Sequence, residues 1–384
     1  MSEQPGQPGR LTRRRFAANA AVAAFAALGS PRRVLGMSTP LVMGFIYGGP
    51  KNDLGYNQAH FEGKQSLRSL PFVKVIDQAN VTETIAAEEA MRDMIHEDGA
   101  RVIFATSYGH LDPYVLRVAR ECPEVQFFHC GGSLREGIDP PNVGVYFGFI
   151  DEVEYLAGMT AGLTTRTGLL GFVAAKPIPQ VLRNINSYML GARSVRPSVS
   201  MKVVFTGDWV LPVREAEAAS SLADQGADVL TGHTGSPRVI VQVAERRGIN
   251  ATGYQFDQSV VAPHGFLTGA EWSWGVVYRQ YAERIHDGAS VMNGSIPRRM
   301  SGTLKDHFCR LSSFGPAVTP EIRKQILWAQ QELLNGSRPI YRGPLRDNRG
   351  NLVVAEGVTI PIQDRKLDGM NWLLEGIQGD VTSL

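Results

Sequence analysis

Four glycines stand at equivalent places in this chain. Gly99, Gly168, Gly226 and Gly248 each close a helical pattern just before an apolar run: RVIFA, LLGFV, ADVL and INATGY in turn. Glycine enters the left-handed conformation without a Cβ penalty, so it is the usual residue at a helix stop. Each of the four marks a return from helix to strand, and a chain that returns repeatedly in this way lays down a parallel sheet with helices on its faces. The repeating unit is clearest at residues 41–70. Residues 41–47 are short, apolar and rich in strand formers, while Ala59, Gly63, Leu67 and Leu70 recur at helical spacing. Between them Gly48, Gly49, Pro50, Asn52, Asp53 and Gly55 supply turn chemistry. In an open α/β sheet the crevice at the carboxyl ends of the strands receives small ligands, which puts Asp53, Tyr56 and Asn57 at a predicted ligand mouth.

The alternation continues with strands predicted at 73–76, 102–106, 126–129 and 143–147 and a helix at 85–95. Asp112 followed by Pro113 reads as a helix start, with Asp as the cap and Pro in the first turn. A long helix at 152–165 follows, and the pattern then restarts. Strands are expected near 169–174, 201–205, 228–231 and 251–254, with helices near 179–193, 213–225 and 237–247. At 384 residues the chain exceeds what one core usually holds. The expected fold class is therefore α/β, with two doubly wound parallel-sheet lobes. Residues 38–147 plus about 267–305 are assigned to the first lobe, and 148–266 plus about 306–384 to the second. From Ser337 the tail changes character, with a polar hairpin predicted to turn at 348–351.

Residues 12–16 read TRRRF, and an alanine-rich, almost uncharged run follows to Leu28. A basic start, a short apolar run and small residues beyond it make an export signal too short to span a bilayer, here assigned to residues 1–37. Arg13, Arg14 and Phe16 resemble the twin-arginine motif. No cysteine lies near the junction, so a periplasmic protein without a lipid anchor is expected. Formal net charge is only +2, with no Lys/Arg stripe outside the N-terminus, which argues against a nucleic-acid partner. Three cysteines are too few for a disulfide framework; Cys122 and Cys130 either pair or remain buried thiols. They lack zinc spacing, and no metal or cofactor is expected.

Phosphate-loop, zincin and serine-hydrolase motifs are absent from the sequence. What remains is a set of polar and aromatic residues at the ends of predicted strands. These are Asp53, Tyr56 and Asn57; Ser107 and Tyr108; residues 176–180 followed by Asn184 and Asn186; His233 and Thr234; Asp257; and Glu271, Trp272 and Trp274. Converging at one crevice, they would form an aromatic and amide pocket with two carboxylates, chemistry suited to a planar, hydrogen-bonding ligand.

Several runs resemble the basic membrane protein family of ABC-transporter solute-binding proteins, which includes purine nucleoside receptors. They are GFIYGGPKNDLGYNQAHFEG, YLAGMTAGLTTRTGLLGFVAAKPIPQV, ARSVRPSVSMKVVFTGDW, LADQGADVL and GYQFDQS. The resemblance implies a type I periplasmic-binding-protein fold with a three-strand hinge, and a membrane permease as partner. It also implies that Asp53, Tyr56, Asn57 and Asp257 match ligand-binding positions. The family's second stacking aromatic is replaced near Asn184, and its ribose-serving lysine by Trp272, which points to a free purine base such as adenine. The expectation is a monomeric, non-enzymatic receptor for a purine base or nucleoside. Tyr56 and Trp272 would stack, Asn57, Asn184 and Asn186 would supply amides, and Asp53 and Asp257 would accept hydrogen bonds. A nucleosidase-type enzyme, with Asp53 or Asp257 activating water, and a ligand-sensing receptor subunit are the alternatives.

Overall fold

The structure is a computed structural model that describes residues 39–381. The predicted export segment lies outside the described residues. The first half of the chain forms β1 (Leu41–Ile46), β2 (Val73–Gln78), β3 (Val102–Ala105), β4 (Gln126–Cys130) and β5 (Val143–Gly148). The helices α1 (Tyr56–Gln65), α2 (Ile85–His96) and α3 (Leu116–Glu121) alternate with them. After α4 (Asp151–Thr164) come β6 (Leu169–Ala174), β7 (Ser200–Phe205), β8 (Val229–His233), β9 (Asn250–Gln255) and β10 (Phe266–Trp272). Here α5 (Pro179–Val195), α6 (Pro212–Asp224) and α7 (Arg238–Arg247) intervene. The chain then adds α8 (Trp274–His286), β11 (Arg299–Gly302), β12 (Cys309–Leu311) and α9 (Pro320–Leu334).

Two sheets result. The first has the order β11-β5-β4-β3-β1-β2 and is parallel throughout. The second has the order β12-β10-β9-β8-β6-β7, and residues 377–378 of the tail extend it in parallel beyond β7; only β12 runs antiparallel. Every residue of β3, β4 and β8 is buried, as expected for parallel strands with both faces covered. All four helix-stopping glycines have positive φ, between +66° and +96°. In each sheet the first strand lies between the third and the second, so the winding reverses at β1/β3 and again at β6/β8. A crevice opens at the strand ends where winding reverses.

The chain passes between the sheets three times: from β5 to α4, from β10 to α8, and from β11 to β12. The return to the first sheet comes after Trp272 rather than at about 267, because β10 pairs with β9 as far as Glu271. A second departure concerns Asp112. Its backbone is extended and the helical turn that follows it leads directly into α3, so the helix start stands where expected, but its carboxylate pairs with Arg135 at 3.4 Å.

Packing between α4 and α5 leaves no room for side chains at two glycines. A Cβ on Gly158 would lie 1.9 Å from the carbonyl oxygen of Tyr188, and one on Gly191 equally close to that of Tyr155. The helices therefore touch backbone to backbone. Beneath the first sheet, aromatic rings fill the core: Phe45 stacks on Phe104 at 4.7 Å and Tyr278 meets both rings edge-on. The tail forms a hairpin around Asp347, whose carboxylate accepts the N–H groups of Arg349 and Asn351. Cys122, Cys130 and Cys309 are all buried thiols, so the pairing of Cys122 with Cys130 does not occur.

Candidate functional site

Loops from the carboxyl ends of both sheets converge on a cavity of about 730 Å³. The first sheet's side contributes the 48–53 loop, Tyr56, Asn57, Glu83, Ser107, Tyr108 and Phe147. Facing them are Gln180, Asp208, Trp209, Glu215, His233, Arg238, Tyr254 and Gln255, while Trp272 comes from the end of β10.

Asp53 shapes the first wall. Its Oδ1 accepts the N–H groups of Gly55 and Gln58, both at 2.9 Å, and its Oδ2 accepts the Asn57 N–H at 3.1 Å and Asn57 Nδ2 at 2.8 Å. The carboxylate thus satisfies orphan donors at the start of α1, where a negative charge is also favoured by the helix dipole. Asn57 continues the chain of bonds, its Oδ1 accepting the Gly49 N–H at 3.1 Å. Tyr56 donates its hydroxyl to the Thr106 carbonyl at 2.6 Å and meets His60 edge-on, which fixes the ring at the cavity wall. Ser107 donates to Glu83, and Tyr108, 59% exposed, stands at the rim.

Across the cavity His233 is fully engaged. Asn184 Nδ2 lies 3.0 Å from its Nδ1, so that nitrogen accepts and Nε2–H faces the Tyr254 hydroxyl at 3.2 Å. Burial pushes its pKa down to about 3, leaving a neutral ring. The Trp209 and His233 rings are 6.2 Å apart, and Lys176 stands over Trp209 while pairing with Asp208 at 3.0 Å. That ion pair holds the Asp208 carboxyl below its usual range. Trp272 stacks on Trp274 at 4.5 Å and meets Phe147 edge-on at 5.2 Å. Its indole N–H has no hydrogen-bond partner among the described residues.

Of the expected site residues, Asp53, Tyr56, Asn57, Ser107, Tyr108, His233 and Trp272 line this one cavity. Asn184, Asn186 and Asp257 do not. Asn184 stands behind His233 as its hydrogen-bond partner. Asn186, two positions further along α5, falls about 200° round the helix and binds the tail: it donates to the Trp372 carbonyl at 2.9 Å and accepts the Leu374 N–H at 2.8 Å. Asp257 follows a turn in which Gln255 has φ of +76°, and its carboxylate accepts the Ser259 N–H. Phe147, Trp209, Glu215, Arg238 and Tyr254 were missed. Trp209 lies past the end of β7 and was open to the same strand-end rule that found Tyr108. Glu215 sits inside a helix and gave no such signal.

The two walls also touch directly. Tyr56 N–H donates to the Gly235 carbonyl at 3.2 Å, Ser236 Oγ to the Asp53 carbonyl at 2.7 Å, and Gln258 Nε2 to that of Leu54 at 2.7 Å. Gly55 permits this approach, since a Cβ there would lie 2.7 Å from the Gly235 oxygen. Among the described residues no group of His, Cys, Asp and Glu could hold a metal ion, and no helix is long and apolar enough to cross a membrane.

Comparison with known proteins bears on what such a cleft serves. The family model described as ABC transporter substrate-binding protein PnrA-like matches residues 41–332. A purine-binding protein of Brucella abortus is 32% identical over 339 residues, covering 88% of this chain and 93% of its own. A putative ABC transporter glucose-binding protein of Haloferax volcanii is 29% identical over 343 residues, covering 88% of this chain and 81% of its own. Among solved structures, an ABC transporter system solute-binding protein from Conexibacter woesei superposes with a TM-score of 0.62 at 21% identity, covering 78% of this chain and 97% of its own. That likeness concerns the fold, a two-lobe type I periplasmic-binding-protein architecture.

Proposed function

Because the chain belongs to the PnrA-like family of ABC transporter substrate-binding proteins, we propose that it is the periplasmic receptor of an importer that captures a purine, preferentially the free base, between its lobes. One observation carries the reading: aromatic rings from both sides, Tyr56 and Phe147 facing Trp209 and Tyr254, line a single cavity with Trp272, and hydrogen-bonding groups stand among them. Its volume of about 730 Å³ falls within the range of small-molecule sites. Flat heterocycles gain from such walls through stacking, and amide and carboxyl groups read their edges. The purine-binding relative supports this ligand class. Trp272, standing where the family resemblance leads one to expect a lysine, favours a base over a ribose-bearing ligand.

In this reading the lobes divide at the three crossings between the sheets. The contacts from Asp53, Leu54 and Tyr56 to Gly235, Ser236 and Gln258 belong to a closed arrangement that encloses the ligand and is presented to a membrane permease. The twin-arginine signal and the monomeric state remain part of the proposal. The hydrolytic alternative relied on Asp53 or Asp257 to activate water. Asp53 is engaged by N–H groups at both oxygens and Asp257 lies outside the cavity lining, so supply to a transporter fits better than catalysis.

Mass spectrometry of small molecules released on denaturing the purified protein tests the reading. A stoichiometric purine supports it. A hexose in its place would transfer the cleft to sugar transport, the activity named for the Haloferax relative.

A further inference from the structure

Four carboxyl groups border the cleft, and three of them are engaged by the protein through several donors or an ion pair. Asp53 is held by N–H groups, Asp208 by Lys176 and the Trp209 N–H, and Glu83 is exposed and takes Ser107 and Gly109. Glu215 differs. It lies in the first turn of α6, is only 1% exposed, and still borders the cavity. Its Oε1 accepts the Leu211 N–H at 2.9 Å, closing the helix start, and the buried Thr234 hydroxyl stands beside the carboxyl. A carboxylate can accept about four hydrogen bonds, so Glu215 at the cavity wall keeps room for a donor supplied by a ligand, and a bond to an ionised acceptor is among the stronger ones.

We propose that Glu215 sets specificity from the second lobe: its carboxylate accepts a hydrogen bond from an exocyclic amine of the ligand, so that the cleft prefers amino purines to their carbonyl counterparts. The inference rests on the purine reading above. A carbonyl oxygen turned toward the same position would meet an acceptor with an acceptor, a mismatch that a site built around a hydrogen bond rejects strongly. Burial pushes the carboxyl's pKa upward, while the Leu211 N–H and the Thr234 hydroxyl pull it down. An amine donor would add to the second group and favour the ionised acceptor.

Glu215→Gln separates this role from helix capping, because the amide oxygen still accepts the Leu211 N–H while the NH₂ replaces an acceptor by a donor. The experiment is calorimetric titration of both proteins with adenine, guanine and hypoxanthine, alongside their unfolding midpoints. The unaltered chain is expected to bind an amino purine at least about 10-fold more tightly than hypoxanthine. The variant, at a similar midpoint, is expected to lose or reverse that ratio. An unchanged ratio in a variant that still binds purines overturns the inference and leaves the purine reading intact. So does equal binding of hypoxanthine by the unaltered chain, a result that needs no variant. Failure of the unaltered chain to bind any purine overturns both.

Discussion

Asp53 accepts four hydrogen bonds within five residues of itself, so its removal acts on the loop before it acts on any ligand. Asp53→Ala should lower stability by about 1–2 kcal/mol, the usual loss for a helix-start cap, read from the denaturant midpoint, and should weaken binding as well because Asn57 and Gly49 lose their alignment. The aromatic positions behave differently. Tyr56→Ala and Trp209→Ala should each weaken purine binding by about 1–3 kcal/mol, the range for loss of a base-stacking ring, with calorimetry as the readout. Tyr56→Phe should retain most of the affinity, since the hydroxyl is directed to Thr106. These residues also show what a sequence reveals about a site. The strand-end rule brought Tyr56, Ser107, Tyr108, His233 and Trp272 to one cavity, because parallel strands deliver their following loops to the same edge. It misplaced Asn186, whose helical position turns it toward the tail, and it could not single out Glu215, whose importance comes from burial at the cavity wall rather than from residue type.

At the scale of elements, the crossing of α4 and α5 depends on Gly158 and Gly191. A side chain at either must displace a backbone carbonyl, not a mobile side chain. Gly158→Ala should cost about 1–3 kcal/mol through overpacking, seen as a lower thermal midpoint, and Gly158→Leu should cost more and reduce soluble yield. Element order was highly legible: β6 and α7, for example, fall within a residue of their expected positions, because left-handed glycines and apolar runs are local signals. The helix start ahead of α3 was legible in position but not in its side-chain contact. Asp112 has the extended backbone that precedes a helix, but its carboxylate turns to Arg135. The addition of residues 377–378 to the edge of β7 was equally hidden, since a two-residue strand has no periodicity to read.

For the whole molecule the crossings between the sheets are where pH acts. Glu152, at the start of α4, accepts the N–H of Leu304 from the β11–β12 crossing at 2.7 Å. Burial pushes its pKa up to about 7, Asp151 and Asp306 add to the rise, and the Leu304 N–H and Arg183 oppose it. The folded chain thus holds a proton there that the unfolded chain has already released above a pH of about 4.5. This group's contribution therefore makes stability fall as pH rises from about 4.5 to about 7. Glu152→Gln, which keeps the acceptor for Leu304, should flatten that part of the profile and raise the midpoint above neutrality relative to the unaltered chain, as denaturant melts at successive pH values would record. Ligand capture should also draw the lobes together, seen in solution scattering as a smaller radius of gyration or as no change if the closed arrangement already predominates. The account's central claim, that a cleft between two lobes captures a purine, is tested most directly by calorimetric titration of ligand-stripped protein with adenine, guanine, adenosine, inosine and glucose. Saturable one-to-one binding of at least one purine with a Kd of about 1 μM or tighter, and none of glucose, is the predicted result; no heat from any purine at high micromolar concentration would contradict it.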